Sequence, residues 1–140
     1  MILRENPGAI ALGLLLLRVA TASMLLLGHG WGKLAGFAER STRFADPIGI
    51  GPAPSLALAV FAEFFCSIAI VLGLFTRLAV IPPIILLLVA GLIAHGGDPW
   101  RVKELAFVYL AAFATLLMTG AGRFSLDAAL ARRLAGRREV

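Results

Sequence analysis

Four apolar stretches, each about 17 to 21 residues long, constrain what this chain can fold into. At a rise of ~1.5 Å per residue, helices of that length span ~26 to 31 Å, which matches the ~30 Å hydrocarbon core of a bilayer. Backbone N–H and C=O groups in lipid find partners only in helices or closed barrels, so each stretch is predicted to be a transmembrane helix. The predicted spans cover residues 9–28, 55–75, 78–95 and 104–121.

The composition supports an integral membrane protein. Hydrophobic residues make up 60% of the 140 residues and charged residues 15%, which is too few charges to cover the surface of a small soluble domain. The apolar content excludes disorder, and the single cysteine, Cys66, excludes a disulfide scaffold. We therefore predict an all-α fold, an integral membrane four-helix bundle that forms a single membrane domain over residues 1–140.

The first stretch also has features of a cleaved signal peptide, namely Arg4, an apolar run and the small residues 20–22. Arg18 interrupts the run, however, and residues 24–27 continue it past the cleavage site that those small residues would provide. We therefore expect the stretch to be a span of the mature protein.

The basic residues predict the orientation. The formal net charge is +5, and in a membrane protein such an excess sets the topology rather than indicating nucleic-acid binding. Seven Lys and Arg residues fall on the side that holds both termini and five fall on the other side. We expect a multi-pass membrane protein with both termini, including the tail 122–140, in the cytoplasm.

Two segments outside the spans have amphipathic patterns. Apolar side chains recur at helical spacing within Lys33–Phe44, which predicts a short interfacial helix after helix 1. The tail beyond Ser125 predicts a second amphipathic helix, with leucines at 126, 130 and 134 on one side and arginines placed to meet lipid phosphates.

Arg18 and Glu63 are the two charged residues deep within predicted spans. A lone Arg at the bilayer midplane costs ~2.5 to 3.5 kcal/mol on insertion scales, so it requires a partner. Counted from the outer ends of their predicted helices, Arg18 lies ~15 Å deep and Glu63 ~12 Å deep. We therefore predict a buried Arg18–Glu63 ion pair, which either fixes the helix register or serves the function.

Further ionisable residues are predicted to meet at the outer end of the bundle. His29 and His95 end the first and third spans there, and Glu104 opens the fourth. Such a group could form a metal site, a proton relay or the polar lining of a quinone pocket. Alternatively, the histidines are interfacial and the glutamate is favoured by the helix dipole. A metal or haem is the less favoured occupant, because no third imidazole or thiolate lies at that level, so no metal ligand is assigned.

Lys33 and Glu63 complete the candidate ligand pocket. Lys33 begins the predicted interfacial segment, which could cover the pocket, and its charge could steer an anionic ligand. No catalytic residue is assigned. The pocket candidates are His29, Lys33, Glu63, His95 and Glu104.

Several short motifs, in this order and spacing, resemble the DoxX family over about residues 14 to 130. The resemblance implies a four-helix inner-membrane protein linked to redox chemistry. Some family members accompany quinone-reducing thiosulfate oxidoreductases, and others assemble with superoxide dismutase and a thiol oxidoreductase. Related four-helix proteins carry redox cysteines, which this chain lacks. The motifs are Leu17-Arg18-Val19-Ala20, Gly28-His29-Gly30-Trp31-Gly32-Lys33-Leu34, Ala62-Glu63-Phe64, Gly73-Leu74-Phe75-Thr76-Arg77-Leu78, Ala94-His95, Lys103-Glu104-Leu105-Ala106 and Gly120-Ala121-Gly122-Arg123-Phe124-Ser125-Leu126-Asp127.

Three functions compete at this point. The first is a small membrane subunit of an oxidoreductase, with a quinone-like or other small ligand at the outer helix ends and a membrane or periplasmic redox partner. The second is a non-enzymatic scaffold or assembly subunit, whose buried charges only specify the bundle. The third, a small-solute or proton-linked transporter, ranks last because four short helices enclose little volume and no inverted repeat is visible. Homo-oligomer formation is left open. A cleft of ~300 Å³ or more at the outer end would favour a ligand.

Overall fold

The computed structural model describes residues 6–136, and within this range the chain forms helices and no strand. Four of these helices are long and apolar enough to cross a membrane, which confirms the predicted all-α membrane fold. The helices are α1 (Pro7–Ala35), α2 (Phe37–Arg40), α3 (Pro52–Leu72), α4 (Thr76–Ala94), α5 (Trp100–Thr119) and α6 (Leu126–Gly136), of which α1, α3, α4 and α5 are the spans.

The first span is longer than its apolar run. Asn6 caps its start, because the Asn6 side chain accepts hydrogen bonds from the N–H groups of Gly8 and Ala9 at 3.0 and 3.3 Å. The helix then continues through Gly28 and Gly30 to Ala35, so it has 29 residues and a length of ~44 Å. Lys33 therefore belongs to α1, and the short helix predicted after the first span is confined to α2.

The two ends of the bundle are named here after the predicted orientation. The outer end holds the C-terminus of α1 and the N-terminus of α3. The inner end holds the α3–α4 turn and the segment that joins α5 to α6. Between the two ends lies an apolar core, in which the most enclosed side chains are Leu25, Ile70, Val80, Phe113 and Leu116.

The tail helix α6 is joined to the α3–α4 turn at the inner end. The carboxylate of Asp127 accepts hydrogen bonds from the N–H groups of Phe75 and Thr76 at 2.7 and 3.0 Å, and its own N–H donates to the carbonyl of Gly73 at 2.8 Å. Asp127 therefore caps α4 from outside the span and satisfies N–H groups that the helix itself leaves free. Ser125 caps α6, since its hydroxyl accepts a hydrogen bond from the N–H of Ala128 at 3.2 Å.

Three of the four spans contain a π-helical turn. The turns cover Leu26–Gly30 in α1, Phe61–Phe65 in α3 and Val89–Ala94 in α4. A π turn widens the helix locally and changes the direction of the side chains that follow it. Such turns are rare and frequently occur at functional sites.

Candidate functional site

A cavity of about 370 Å³ lies at the outer end of the bundle. It falls in the size range of small-molecule sites, ~300 to 1,000 Å³. Most of its wall is apolar, and five polar or ionisable side chains converge on it from α1, α3, α5 and the residue that follows α4. These side chains are His29, Lys33, Glu63, His95 and Tyr109. We call this space the outer cavity.

Lys33 and Glu63 form an ion pair in the wall of the outer cavity. The ammonium Nζ of Lys33 donates to Oε2 of Glu63, and only 17% and 8% of the two side chains are exposed. Gly30 makes this pairing possible, because a Cβ there would lie 2.6 Å from the backbone oxygen of Glu63. The close approach of α1 and α3 at Gly30 brings the lysine and the carboxylate to the same level.

The predicted Arg18–Glu63 ion pair is wrong. Arg18 is buried, but its guanidinium donates to the carbonyl oxygens of Ala121 and Phe124 at 3.0 and 2.8 Å, at the inner end. Glu63 lies beside Gly30, twelve residues or ~18 Å farther along α1 than Arg18. The prediction placed the two residues at similar depths because it ended the first span at residue 28, whereas α1 continues to Ala35.

The two histidines differ in their surroundings. The ring of His29 packs edge-on against the ring of Tyr109, with 6.2 Å between their centroids. His95 lies at the mouth of the outer cavity, and its Nδ1 is 2.7 Å from Oδ2 of Asp98. The side chains of His95 and Asp98 are about half exposed, at 49% and 47%. His29 is therefore the enclosed imidazole of the cavity and His95 the one at its rim.

Glu104 is an exposed residue and does not line the outer cavity. It shares a face of α5 with Val108 and Ala111, and both of these are exposed as well. Glu104 was predicted to line the pocket because it begins the fourth predicted span at the same level as the two histidines. The face of α5 that is buried carries Tyr109, Ala112, Phe113 and Leu116 instead.

Tyr109 is the cavity residue that the sequence analysis missed. It is the one tyrosine of the chain and lies inside an apolar span. A tyrosine hydroxyl within a membrane span needs a polar neighbour, so its position was itself a usable signal. In the structure Tyr109 is buried between the ring of His29 and the ring of Phe113.

A loop between α2 and α3 covers the outer cavity with Phe44, Ala45 and Pro47. Asp46 fixes this loop. Its carboxylate accepts hydrogen bonds from the N–H groups of Ile50 and Gly51 at 2.9 and 2.8 Å, and from the hydroxyl of Ser55 at 2.8 Å.

These contacts also set the charge state of Asp46. Desolvation raises the pKa of the Asp46 carboxyl, but the hydrogen bonds from Gly51, Ser55 and Ile50 together outweigh that effect and lower its pKa below the usual value. The loop is therefore held by an ionised carboxylate.

The polar wall of the outer cavity combines hydrogen-bond donors with one carboxylate. Within residues 6–136, no group of three or more His, Cys, Asp and Glu side chains is placed to hold a metal ion. Cys66 is buried on α3 and does not line the outer cavity. The arrangement suits a small uncharged or anionic head group with oxygen atoms better than it suits a cation, because Lys33 and two imidazoles face the same space.

The three π turns surround the outer cavity. His29 lies in the π turn of α1 and Glu63 in that of α3, while Val89, Ala90 and Ala94 line the cavity from the π turn of α4. Three independent helices thus depart from α-helical geometry at one level, which singles out this region of the bundle.

Four membrane spans with the outer cavity between their outer ends define a multi-pass membrane protein. The chain belongs to the DoxX family, because the model of that family matches residues 13–96. It is also similar to the inner membrane protein YqjF of Escherichia coli (strain K12), with 27% identity over 114 residues, or 79% of this chain and 86% of that protein. No solved structure matches the chain. The four apolar helices and this relative together support a multi-pass protein of the inner membrane.

Proposed function

We propose that this protein is a small membrane subunit of a redox complex and that it binds a quinone-like ligand in the outer cavity. One observation carries the proposal: the Lys33–Glu63 ion pair and His29 line the same cavity, which is large enough for a small ring. The DoxX resemblance supports the redox association, since some family members accompany quinone-reducing oxidoreductases.

The side chains of the outer cavity suit the two forms of a quinone. A quinone has carbonyl oxygens that accept hydrogen bonds, and a hydroquinone has hydroxyls that donate them. Lys33 and a protonated imidazole donate, whereas Glu63 and a neutral imidazole accept. Imidazole is also the side chain that exchanges protons most readily near neutral pH.

Reduction of a bound quinone requires a partner protein that supplies electrons. Reduction of a quinone to its hydroquinone takes up two electrons and two protons. We propose that a membrane or periplasmic redox partner donates the two electrons, while His29 and the Lys33–Glu63 pair hold the ring and pass two protons, taken up from the solvent at the rim of the cavity, to its oxygens. The chain is then a binding subunit of an oxidoreductase.

Binding of a benzoquinone without a tail tests the proposal directly. We expect the purified wild-type protein to bind it and His29→Ala to weaken binding about tenfold, as expected for the loss of one hydrogen bond. Lys103→Met is the matched control, because the ammonium of Lys103 donates to the carbonyl of Gly96 and does not line the outer cavity. Absence of binding to the wild-type protein would refute the proposal, as would equal affinities for the wild type and His29→Ala.

A scaffold function is the second candidate, and the Lys33–Glu63 pair also favours it, because the two charges satisfy each other without a ligand. On this reading the pair specifies how α1 packs on α3. A double-mutant cycle with Lys33→Met and Glu63→Gln distinguishes the scaffold function from the quinone-binding function. If quinone does not bind and the cycle shows strong coupling in stability alone, the scaffold function is favoured.

A further inference from the structure

We infer that the ligand of the outer cavity is dissolved in the lipid bilayer. Its apolar tail extends from the outer cavity toward the lipid between α3 and α4. This inference rests on the proposed function, because the outer cavity must first bind the polar head. It adds the chemical class of the ligand, namely a quinone with a long apolar chain, and the route by which that ligand enters.

A second cavity adjoins the outer one. Its volume is about 310 Å³, and we call it the lateral cavity. The two cavities share five wall residues, so the covering loop and α4 form a common wall between them. The shared residues are Phe44, Ala45, Pro47, Leu86 and Val89.

The lateral cavity is apolar and faces the lipid. Leu58 and Phe61 of α3 and Ile85 of α4 line it, and 53%, 50% and 57% of these residues are exposed on the membrane-facing surface. Ser55 is the polar residue of its wall, and the hydroxyl of Ser55 is already bonded to Asp46. A polar head group would find no free hydrogen-bond partner in the lateral cavity, whereas an apolar chain needs none.

A crevice of about 400 Å³ continues the lateral cavity toward the inner end, and the two share Phe61 and Pro82. The sequence explains why this crevice forms. Pro82 and Pro83 stand in the first turn of the helical segment Ile81–Leu88, and α4 is irregular at Val80 just before it.

The lateral cavity and the crevice together are long enough for a chain that reaches the bilayer midplane. Small residues of α3, including Cys66 and Ala69, line the crevice and leave space beside α4. From Leu58 to Ala69 the path along α3 covers ~16 Å, which is about half of the ~30 Å hydrocarbon core. The wall that this path shares with the outer cavity distinguishes it from an ordinary lipid-facing groove and makes the tail of the bound ligand its occupant.

The test compares two ligands with one head group, a benzoquinone without a tail and the same ring with a ten-carbon alkyl chain, on protein in nanodiscs of synthetic phospholipid. Ile85→Trp fills the lateral cavity, and Leu58→Trp fills it from the opposite wall. Leu92→Trp is the control, since Leu92 is an exposed residue of α4 outside all three cavities. We expect both filling variants to bind the tailed quinone about tenfold more weakly while the tail-less quinone binds as in the wild type.

The outcomes distinguish failure of the proposed quinone binding from failure of the lateral route. If the wild-type protein binds neither ligand, the proposed function fails. If it binds both, and the filling variants bind the tailed quinone as tightly as Leu92→Trp does, the lateral route is refuted and the crevice holds phospholipid acyl chains. Circular dichroism on each variant verifies that the fold is retained, and agreement between Ile85→Trp and Leu58→Trp excludes a local artefact.

Discussion

Arg18 is the most buried charged residue described, and its partners are backbone carbonyls rather than an acid. The chain leaves α5 at Gly120 and passes α1 before α6 begins, so carbonyls of residues 121 and 124 lack helical partners. The guanidinium supplies donors to both. Gly73 leaves the space for this contact, because a Cβ at that position would overlap the guanidinium.

Substitution of Arg18 by Met should therefore destabilise the protein at the inner end. We expect the free energy of unfolding in detergent to fall by about 1.5 to 3 kcal/mol, the range for hydrogen bonds to a charged group. Arg43→Met is the matched control, because Arg43 is exposed in the loop that precedes α3. Equal unfolding curves for Arg18→Met and the wild type would contradict the role given to the guanidinium.

The lowered pKa of Asp46 predicts that the stability of the covering loop depends on pH. Its pKa is lower in the folded protein than in the unfolded chain, so its stabilising effect is complete above the unfolded pKa and is lost as the pH falls through the folded pKa. We expect hydrogen exchange at the N–H groups of Ile50 and Gly51, corrected for the intrinsic rate at each pH, to lose protection in that acid range. Asp46→Asn should show weak protection at every pH, and an acid step that persists in this variant would assign the effect to another group.

At the scale of the elements, the sequence predicted the four apolar helices correctly and the depths of the charged residues within them poorly. Apolar length is a local property, so the four helices could be read directly from the residues. The outer end of α1 could not be predicted from apolar length, because the helix continues through His29 and Gly32 to Ala35. There it packs against α3, and this packing stabilises a helix that contains polar side chains. That one error in helix length moved Arg18 to the wrong level and produced the wrong ion pair.

The candidate site was predictable to a similar degree. Counting residues placed His29, Lys33 and His95 near one end of the bundle and Glu63 ~12 Å below that end, and the structure brings all four to one cavity. Counting gives the level of a residue but not the direction of its side chain. Glu104 is therefore at the correct level on an exposed face, while Tyr109, five residues farther along α5, points inward.

The close approach of α1 to α3 depends on Gly30. Gly30→Ala would place a methyl group 2.6 Å from the backbone oxygen of Glu63, and neither backbone can move without displacing a whole helix. We expect a loss of about 1 to 3 kcal/mol in the free energy of unfolding, as for other overpacked interiors. Gly28→Ala is the control, because a Cβ at Gly28 meets nothing within 4 Å. Equal melting temperatures for the two variants would show that the helices are farther apart than described.

At the scale of the whole molecule, the two ends of the bundle have different roles. The inner end is closed by two sets of hydrogen bonds: Arg18 joins α1 to the segment between α5 and α6, and Asp127 joins the α3–α4 turn to α6. The outer end keeps a cavity under a loop that a single carboxylate fixes. We propose that the closed end faces the cytoplasm together with both termini, and that residues 1–140 act as one membrane domain.

The quinone content of protein purified from its native membrane tests the central claim most directly. The measurement compares the wild type with Ala90→Phe, which fills the outer cavity, and with Ala111→Phe, an exposed site on α5 away from that cavity. We predict that extraction and mass spectrometry recover about one quinone per chain from the wild type and from Ala111→Phe, and little from a folded Ala90→Phe, as expected for a single site. Equal amounts in all three proteins, or none in the wild type, would contradict a ligand site in the outer cavity.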